Sequence, residues 1–243
     1  MADTKSKESK WIEVEENGPY IVHGEIPIVR KTQVVSEYGE PLTWRKQGIV
    51  PSHDGTKLCR CGQSSTLPIC DMTHFEEDFD GTETAPTSNN AERAEVLEGT
   101  TGIVIKRDEL VCMESGFCGT RLAHLTQMAA QTGDTNIRSQ VIAMIERCPS
   151  GSFTYSMEAG KANIEPDLPQ QIAVVTEITA EGPIPGPLWV TGNIPIKRAD
   201  GEPFETRNRV TLCCCGQSSI KPFCDGKHRE IETQKLLKKK SGD

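Results

Sequence analysis

Aromatic side chains are scarce in this 243-residue chain, with 6 Phe, 3 Trp and 3 Tyr making up 5% of it. Large rings supply much of the burial in a big core, so small cores are expected. No stretch approaches the roughly 18 consecutive apolar residues that a membrane helix needs. Positive charge is in deficit: 27 Lys and Arg stand against 35 Asp and Glu, for a formal charge of −8. That balance disfavours a phosphate-binding surface, and so nucleic acid as a partner. Met1 to Lys10 is charged and has no apolar stretch, so neither a secretory signal nor a transit peptide is expected there, and those ten residues are expected to be disordered. The chain lacks a nucleophile with its base, a glycine-rich phosphate loop and a zinc-hydrolase motif, so catalysis on an organic substrate has no visible carrier and a non-enzyme is expected. With 35% hydrophobic residues, full disorder is still excluded. A soluble, cytoplasmic protein without membrane contact is the expectation.

Cysteine is plentiful and clustered: ten residues at 59, 61 and 70, at 112, 118 and 148, and at 213, 214, 215 and 224. In a reducing compartment such clusters read as metal ligands or redox centres before disulfides.

The chain also repeats itself. Gly18 to Ile28 and Gly186 to Ile196 both read G-P-x-x-V-x-G-x-I-P-I, and Gly39-Glu40-Pro41 recurs as Gly201-Glu202-Pro203. Cys59-Arg60-Cys61-Gly62-Gln63-Ser64-Ser65 recurs as Cys213-Cys214-Cys215-Gly216-Gln217-Ser218-Ser219. Pro68, Cys70, Asp71 and His74 match Pro222, Cys224, Asp225 and His228. Between the shared glycine and the first cysteine the first copy spans 35 residues (24 to 59) and the second 21 (192 to 213), so the first carries 14 extra residues, read as loop. Each copy opens on a strand-like run, Tyr20 to Ile28 or Leu188 to Ile196. Neither unit can bury enough surface alone, so the two are expected to pack on each other and to depend on bound metal.

Cys59, Cys61, Cys70 and His74, repeated as Cys213, Cys215, Cys224 and His228, are two sets of four metal-ligating side chains. C-x-C brings two thiolates to one centre from a single turn, and C-x3-H sets the second pair on one face of a helical turn. Asp71 and Asp225 are placed to accept backbone N–H bonds at that turn. A tetrahedral zinc site is the competing reading. These residues resemble the CDGSH iron-sulfur domain, with its pattern C-x-C-x2-[ST]-x3-P-x-C-D-G-[STA]-H. The second copy departs only at Lys227, whereas the first has Met72 for the glycine and Thr73 before the histidine. The resemblance covers residues 18 to 75 and 186 to 228 and implies two 2Fe-2S clusters, each on three cysteines and one histidine, paired here within one chain as an intramolecular pseudo-dimer, monomeric overall. Cys214, between two ligands, is expected to point away from its cluster. Exchanging one thiolate for a neutral imidazole makes a cluster less negative, which raises its potential, and a histidine corner can be protonated off the metal.

The middle segment carries Cys112, Ser115 and Cys118 in C-x2-S-x2-C, followed after 30 residues by Cys148-Pro149. It resembles a divergent single-cluster ferredoxin whose second cysteine is replaced. Three cysteines suit a 3Fe-4S cluster, or a 4Fe-4S cluster whose fourth iron takes Ser115, water or another group. The alternative is a domain that has lost its cluster and keeps its cysteines as packing residues. His124, His23 and His53 are read as ordinary surface or core histidines, and Met128 and Met144 as core.

The fold class expected is α+β: two small β-rich units, 11–79 and 170–232, packed as a pseudo-twofold pair, with a ferredoxin-like α+β domain at 91–158, a linker at 80–90 and a basic tail at 233–243. In the middle, strand-like 102–106, helix-like 122–131 and 137–147, and strand-like 152–157 are expected. The function expected is electron transfer, with a redox protein as partner. A donor of clusters to an apo-protein, or a redox or pH sensor, is the first alternative, and the iron-sulfur subunit of a larger oxidoreductase is the second.

Overall fold

Short runs of Val, Ile and aromatic residues, punctuated by Gly and Pro, dictate many brief strands. The computed structural model describes residues 9–97 and 101–242, so the expectation for the N-terminus lies, from Met1 to Glu8, outside the described residues. The strands are β1 (Trp11–Val14), β2 (Tyr20–His23), β3 (Ile28–Val35), β4 (Pro41–Val50), β5 (Thr56–Leu58), β6 (Glu95–Val96), β7 (Val104–Arg107), β8 (Phe153–Ser156), β9 (Gln171–Thr179), β10 (Gly182–Thr191), β11 (Ile196–Lys197) and β12 (Arg209–Leu212). The helices are α1 (Asn90–Arg93), α2 (Leu125–Met128), α3 (Thr135–Arg147) and α4 (Lys227–Ser241). The class is α+β, as read from the sequence.

The two repeats do more than pack on each other, because each lends a strand to the other's sheet. One sheet has the order β11-β1-β2-β5 and the other β12-β10-β9-β3-β4. In the first, Ile196 of the second repeat pairs in parallel with Ile12. In the second, Ile28 of the first repeat pairs in parallel with Ile172. The shared Ile-Pro-Ile segment is thus the exchanged strand in both directions. A single core follows, in which Ile12, Val22, Ile28 and Leu58 are buried together with Ile172, Val190, Ile196 and Leu212. The extra residues of the first copy, read as loop, are largely strand: β3 and β4 form a long antiparallel hairpin at the edge of the second sheet.

In the middle, β6, β7 and β8 form an antiparallel sheet covered by α2 and α3, with its own core of Ile105, Leu125, Val141, Met144, Ile145 and Phe153. The expected helix over 122–131 is shorter. His124 and Gln127 close a capping box at its start, so α2 begins at Leu125, and a 3₁₀ turn over Ala129–Gln131 follows. Asp134 caps α3 through the backbone N–H groups of Asn136 and Ile137.

Two segments read as tails or spacers are built into the fold. In the expected linker, the backbone N–H groups of Thr84 and Ala85 donate to the Lys221 carbonyl, at 2.8 and 3.0 Å, and Gly81 N–H donates to Asn17 Oδ1 at 2.9 Å. The segment therefore straps the first unit to the second. The basic run Lys238-Lys239-Lys240 is the last turn of α4, where cations suit the helix dipole, and Lys240 pairs with Glu181 at 2.9 Å.

Candidate metal centres

Each ligand loop starts at the end of a strand, β5 or β12, and turns back so that Cys59 N–H donates to the Pro68 carbonyl and Cys213 N–H to that of Pro222, both at 2.8 Å. Both prolines follow cis peptide bonds. Asp71 accepts from the Ser65 and Thr73 hydroxyls and backbone N–H groups, and these bonds hold its carboxyl well below the usual range. Asp225 does the same for Ser219 and Lys227. Burial opposes ionisation there, and the hydrogen bonds outweigh it. The loop is therefore tied at its waist by an aspartate in both copies.

Within each loop the donors meet in pairs. Cys59 and Cys61 bring their sulfurs to 3.7 Å, Cys213 and Cys215 to 3.6 Å. Cys70 Sγ lies 3.4 Å from His74 Nδ1 and Cys224 Sγ 3.3 Å from His228 Nδ1. Bonds of about 2.3 Å to sulfur and about 2.0 Å to nitrogen at a tetrahedral metal separate two sulfurs by about 3.8 Å and a sulfur from a nitrogen by about 3.5 Å. Each pair thus matches two corners of one metal ion. Among the described residues, no three His, Cys, Asp or Glu side chains gather as a single ion requires. Two ions with bridging atoms fit this two-plus-two division.

The thiols have no disulfide partners. Burial pushes Cys61 up to about 11 and raises Cys70 and Cys224. Cys213, held by the Cys215 S–H, falls to about 6 while Cys215 rises. Buried thiols reluctant to ionise alone are stabilised as thiolates by a bound cation. Cys214 turns away, its Sγ 3.1 Å from the Gly186 carbonyl. Burial raises its pKa well above the ordinary value, so its thiolate is scarce.

The two histidines differ in a way no motif announces. His228 Nε2 lies 3.0 Å from Glu177 Oε1, and both side chains are buried. With Nδ1 turned to Cys224, the Nε2 proton is donated to the carboxylate, whose other oxygen pairs with Arg229. Carboxylate-bound imidazoles are a recurrent metal-site device that fixes the tautomer and raises ligand basicity. His74 Nε2 is equally buried and has no hydrogen-bond partner among the described residues.

The two loops also touch each other. A Cβ on Gly62 would lie 2.8 Å from Cys215 Cα, and one on Gly216 would lie 2.6 Å from the Cys61 carbonyl oxygen. Both glycines have positive φ, 80° and 77°, so this C-x-C-G contact needs glycine for space and for conformation.

In the middle domain, Cys148 sits just past the last turn of α3, close enough to Cys112 and Cys118 to oppose their ionisation, and Cys112 adds to the effect on Cys118. Burial pushes Cys118 up to about 11. The sequence reading named Ser115 for the fourth position, but no hydrogen bond joins its hydroxyl to these cysteines among the described residues, and its carbonyl accepts from Gln33. His124, read as an ordinary histidine, comes to Cys118 instead, Nε2 to Sγ at 3.2 Å. Its Nδ1 accepts from the backbone N–H of Thr126, so in the neutral ring the proton sits on Nε2 and is donated to sulfur. Burial and Arg107 hold His124 below its usual pKa and so keep it neutral. Its capping position, six residues after Cys118, is the signal that sequence reasoning passed over. His23 stacks on Trp11 and bonds to Glu13, and His53 turns to the Asp54 carbonyl.

Fold and site together define two interleaved copies of one unit with three thiols and an imidazole as candidate metal ligands. Residues 17–75 and 185–229 both match the family model described as Iron-binding zinc finger CDGSH type, so the chain is similar to that family in two separate regions, as a tandem CDGSH protein would be. No match was found among curated proteins or among solved structures. No helix among the described residues is long and apolar enough to cross a membrane.

Proposed function

We propose that the protein transfers electrons through two 2Fe-2S clusters, one held by Cys59, Cys61, Cys70 and His74 and the other by Cys213, Cys215, Cys224 and His228, without turning over an organic substrate. The observation that carries this reading is the backbone contact of Gly62 with Cys215 and of Gly216 with Cys61, which sets the two redox centres side by side in one chain. A third centre on Cys112, Cys118 and Cys148, a 3Fe-4S or 4Fe-4S cluster, belongs to the same reading. Its support is the mutual proximity of the three thiols, together with the His124 N–H aimed at Cys118 sulfur, a hydrogen bond of the kind that tunes cluster potentials. Its ligand loop also abuts the second unit, since a Cβ on Gly226 would meet the Met113 carbonyl oxygen at 3.2 Å. The centres then lie in the order middle, C-terminal, N-terminal. The partner is a redox protein.

Protein purified without oxygen is expected to take up electrons from dithionite and return them on reoxidation over repeated cycles with its iron retained. Bleaching on the first cycle would remove the carrier role. Cluster donation is the second reading, favoured by His74, whose buried Nε2 has no acceptor among the described residues to secure it. Incubation with an apo-ferredoxin decides it: visible absorption moving to the acceptor supports donation, and absorption staying with this chain removes it.

A further inference from the structure

The pseudo-twofold relation leaves one face of the first unit unlike its counterpart. In the second unit, Gly226 has φ +90° and is covered by the backbone of Met113 and the side chain of Glu114, from the loop that carries Cys112. The matching residue of the first unit is Met72, also left-handed at φ 74°, and its side chain is exposed. Three residues on, the counterpart of Arg229 is Phe75, 69% exposed, while Arg229 itself is drawn to Glu177. Phe75 packs against the ligand histidine, ring centroids 4.2 Å apart. A redox-loop face that is occupied in one unit is thus open and apolar in the other, with an aromatic side chain linking His74 to solvent.

The rim of this face is acidic. Glu76, Glu77, Asp78 and Asp80 are exposed. The last three of them line a cleft of about 340 Å³ that reaches Cys61 and Gly216, with Lys221 as the basic residue in its wall. We propose that this face is the electron port of the molecule, and that it takes a small redox protein whose redox group is ringed by Lys and Arg. The inference rests on the electron-transfer reading above. An exposed aromatic beside a charged rim supplies contact area and orientation, while opposite charge on the partner speeds encounter in a salt-dependent way.

The probe is oxidised cytochrome c, which presents a lysine-ringed haem edge, mixed with the reduced, cluster-loaded full chain in a stopped-flow instrument. In wild type the second-order rate constant is expected to fall as ionic strength rises. The triple variant Glu76→Lys, Glu77→Lys, Asp78→Lys is expected to be slower by about tenfold or more at low salt and to lose that dependence. Phe75→Ala is expected to slow transfer severalfold at every salt concentration. Glu230→Lys, the exposed counterpart of Glu76 on α4, is the control and is expected to stay within about twofold of wild type. Each variant must keep the visible spectrum and dithionite reduction of wild type, which separates port from cluster. Triple-variant rates within about twofold of wild type, or equal slowing by Glu230→Lys, overturn the port alone. A wild-type chain that cannot be reduced and reoxidised sinks the electron-transfer reading, and the port with it.

Discussion

At the residue scale, the buried carboxylate of Glu177 makes the two candidate metal centres inequivalent. A negative charge beside a cluster opposes the arrival of an electron, and a carboxylate on the far nitrogen of a ligand imidazole makes that ligand a stronger donor. On the proposed two-cluster reading both effects lower the potential of the C-terminal centre, while His74 has no such acceptor among the described residues. An EPR-monitored redox titration should therefore resolve two midpoints, the C-terminal one lower. Glu177→Gln should raise that midpoint, because it removes the charge and leaves Arg229 uncompensated, with the other unmoved. One midpoint in wild type, or a Glu177→Gln chain with both unchanged, would contradict this account. Glu177 could not be found from the repeat, because β9 runs on to Thr179 whereas its counterpart β1 stops at Val14, so the first copy has no residue to compare. Its trace in the sequence is a lone charge in the apolar run Ile172 to Ile178. That the eight candidate ligand side chains meet in pairs was legible because their chemistry fixes residue type and spacing together. His124 was not, because a single histidine off the motif looks like any other until the fold turns it towards sulfur.

At the scale of elements, the strand exchange makes each loop depend on the other repeat. Tyr20, in β2 of the first copy, is fully buried and donates its hydroxyl to the Cys213 carbonyl at 2.7 Å, with the Pro222 carbonyl 3.0 Å away. Tyr20→Phe leaves two buried carbonyls of the second ligand loop without that partner. The expected cost is about 1–3 kcal/mol in urea unfolding of the loaded protein, with faster loss of the C-terminal cluster than of the N-terminal one. Equal stability, or preferential loss of the N-terminal cluster, would contradict the cross-unit bond. Duplication was plain from the repeated G-P-x-x-V-x-G-x-I-P-I. Exchange was not, because a strand's sequence records which faces are buried and not which neighbour supplies the hydrogen bonds.

At the scale of the whole molecule, the middle domain is joined to the second unit at its ligand-bearing end. Arg209, on the strand that leads into Cys213, is buried and donates through Nη1 to the carbonyls of Ile145, Glu146 and Cys148, at 2.7–3.0 Å, where α3 ends. Arg207 Nη2 donates to the Gly151 carbonyl at 2.8 Å. The long β3–β4 hairpin reaches the same domain from the other side, with Gln33 on the Ser115 carbonyl and Trp44 against Phe117. A segment between two repeats, expected to be ferredoxin-like, could be read as an independent passenger, but these arginine anchors make it part of one assembly. Partners so distant in sequence leave no local signature, which is why this docking was not legible. The proposed function depends on bridged iron pairs at both candidate centres. Iron, zinc and acid-labile sulfide should therefore be measured in protein purified without oxygen, wild type and a Cys112→Ala, Cys118→Ala, Cys148→Ala variant that isolates the two CDGSH motifs. The account predicts a coloured variant with two iron and two sulfide for each of those motifs, whereas a colourless variant with one zinc per motif and no sulfide would contradict it.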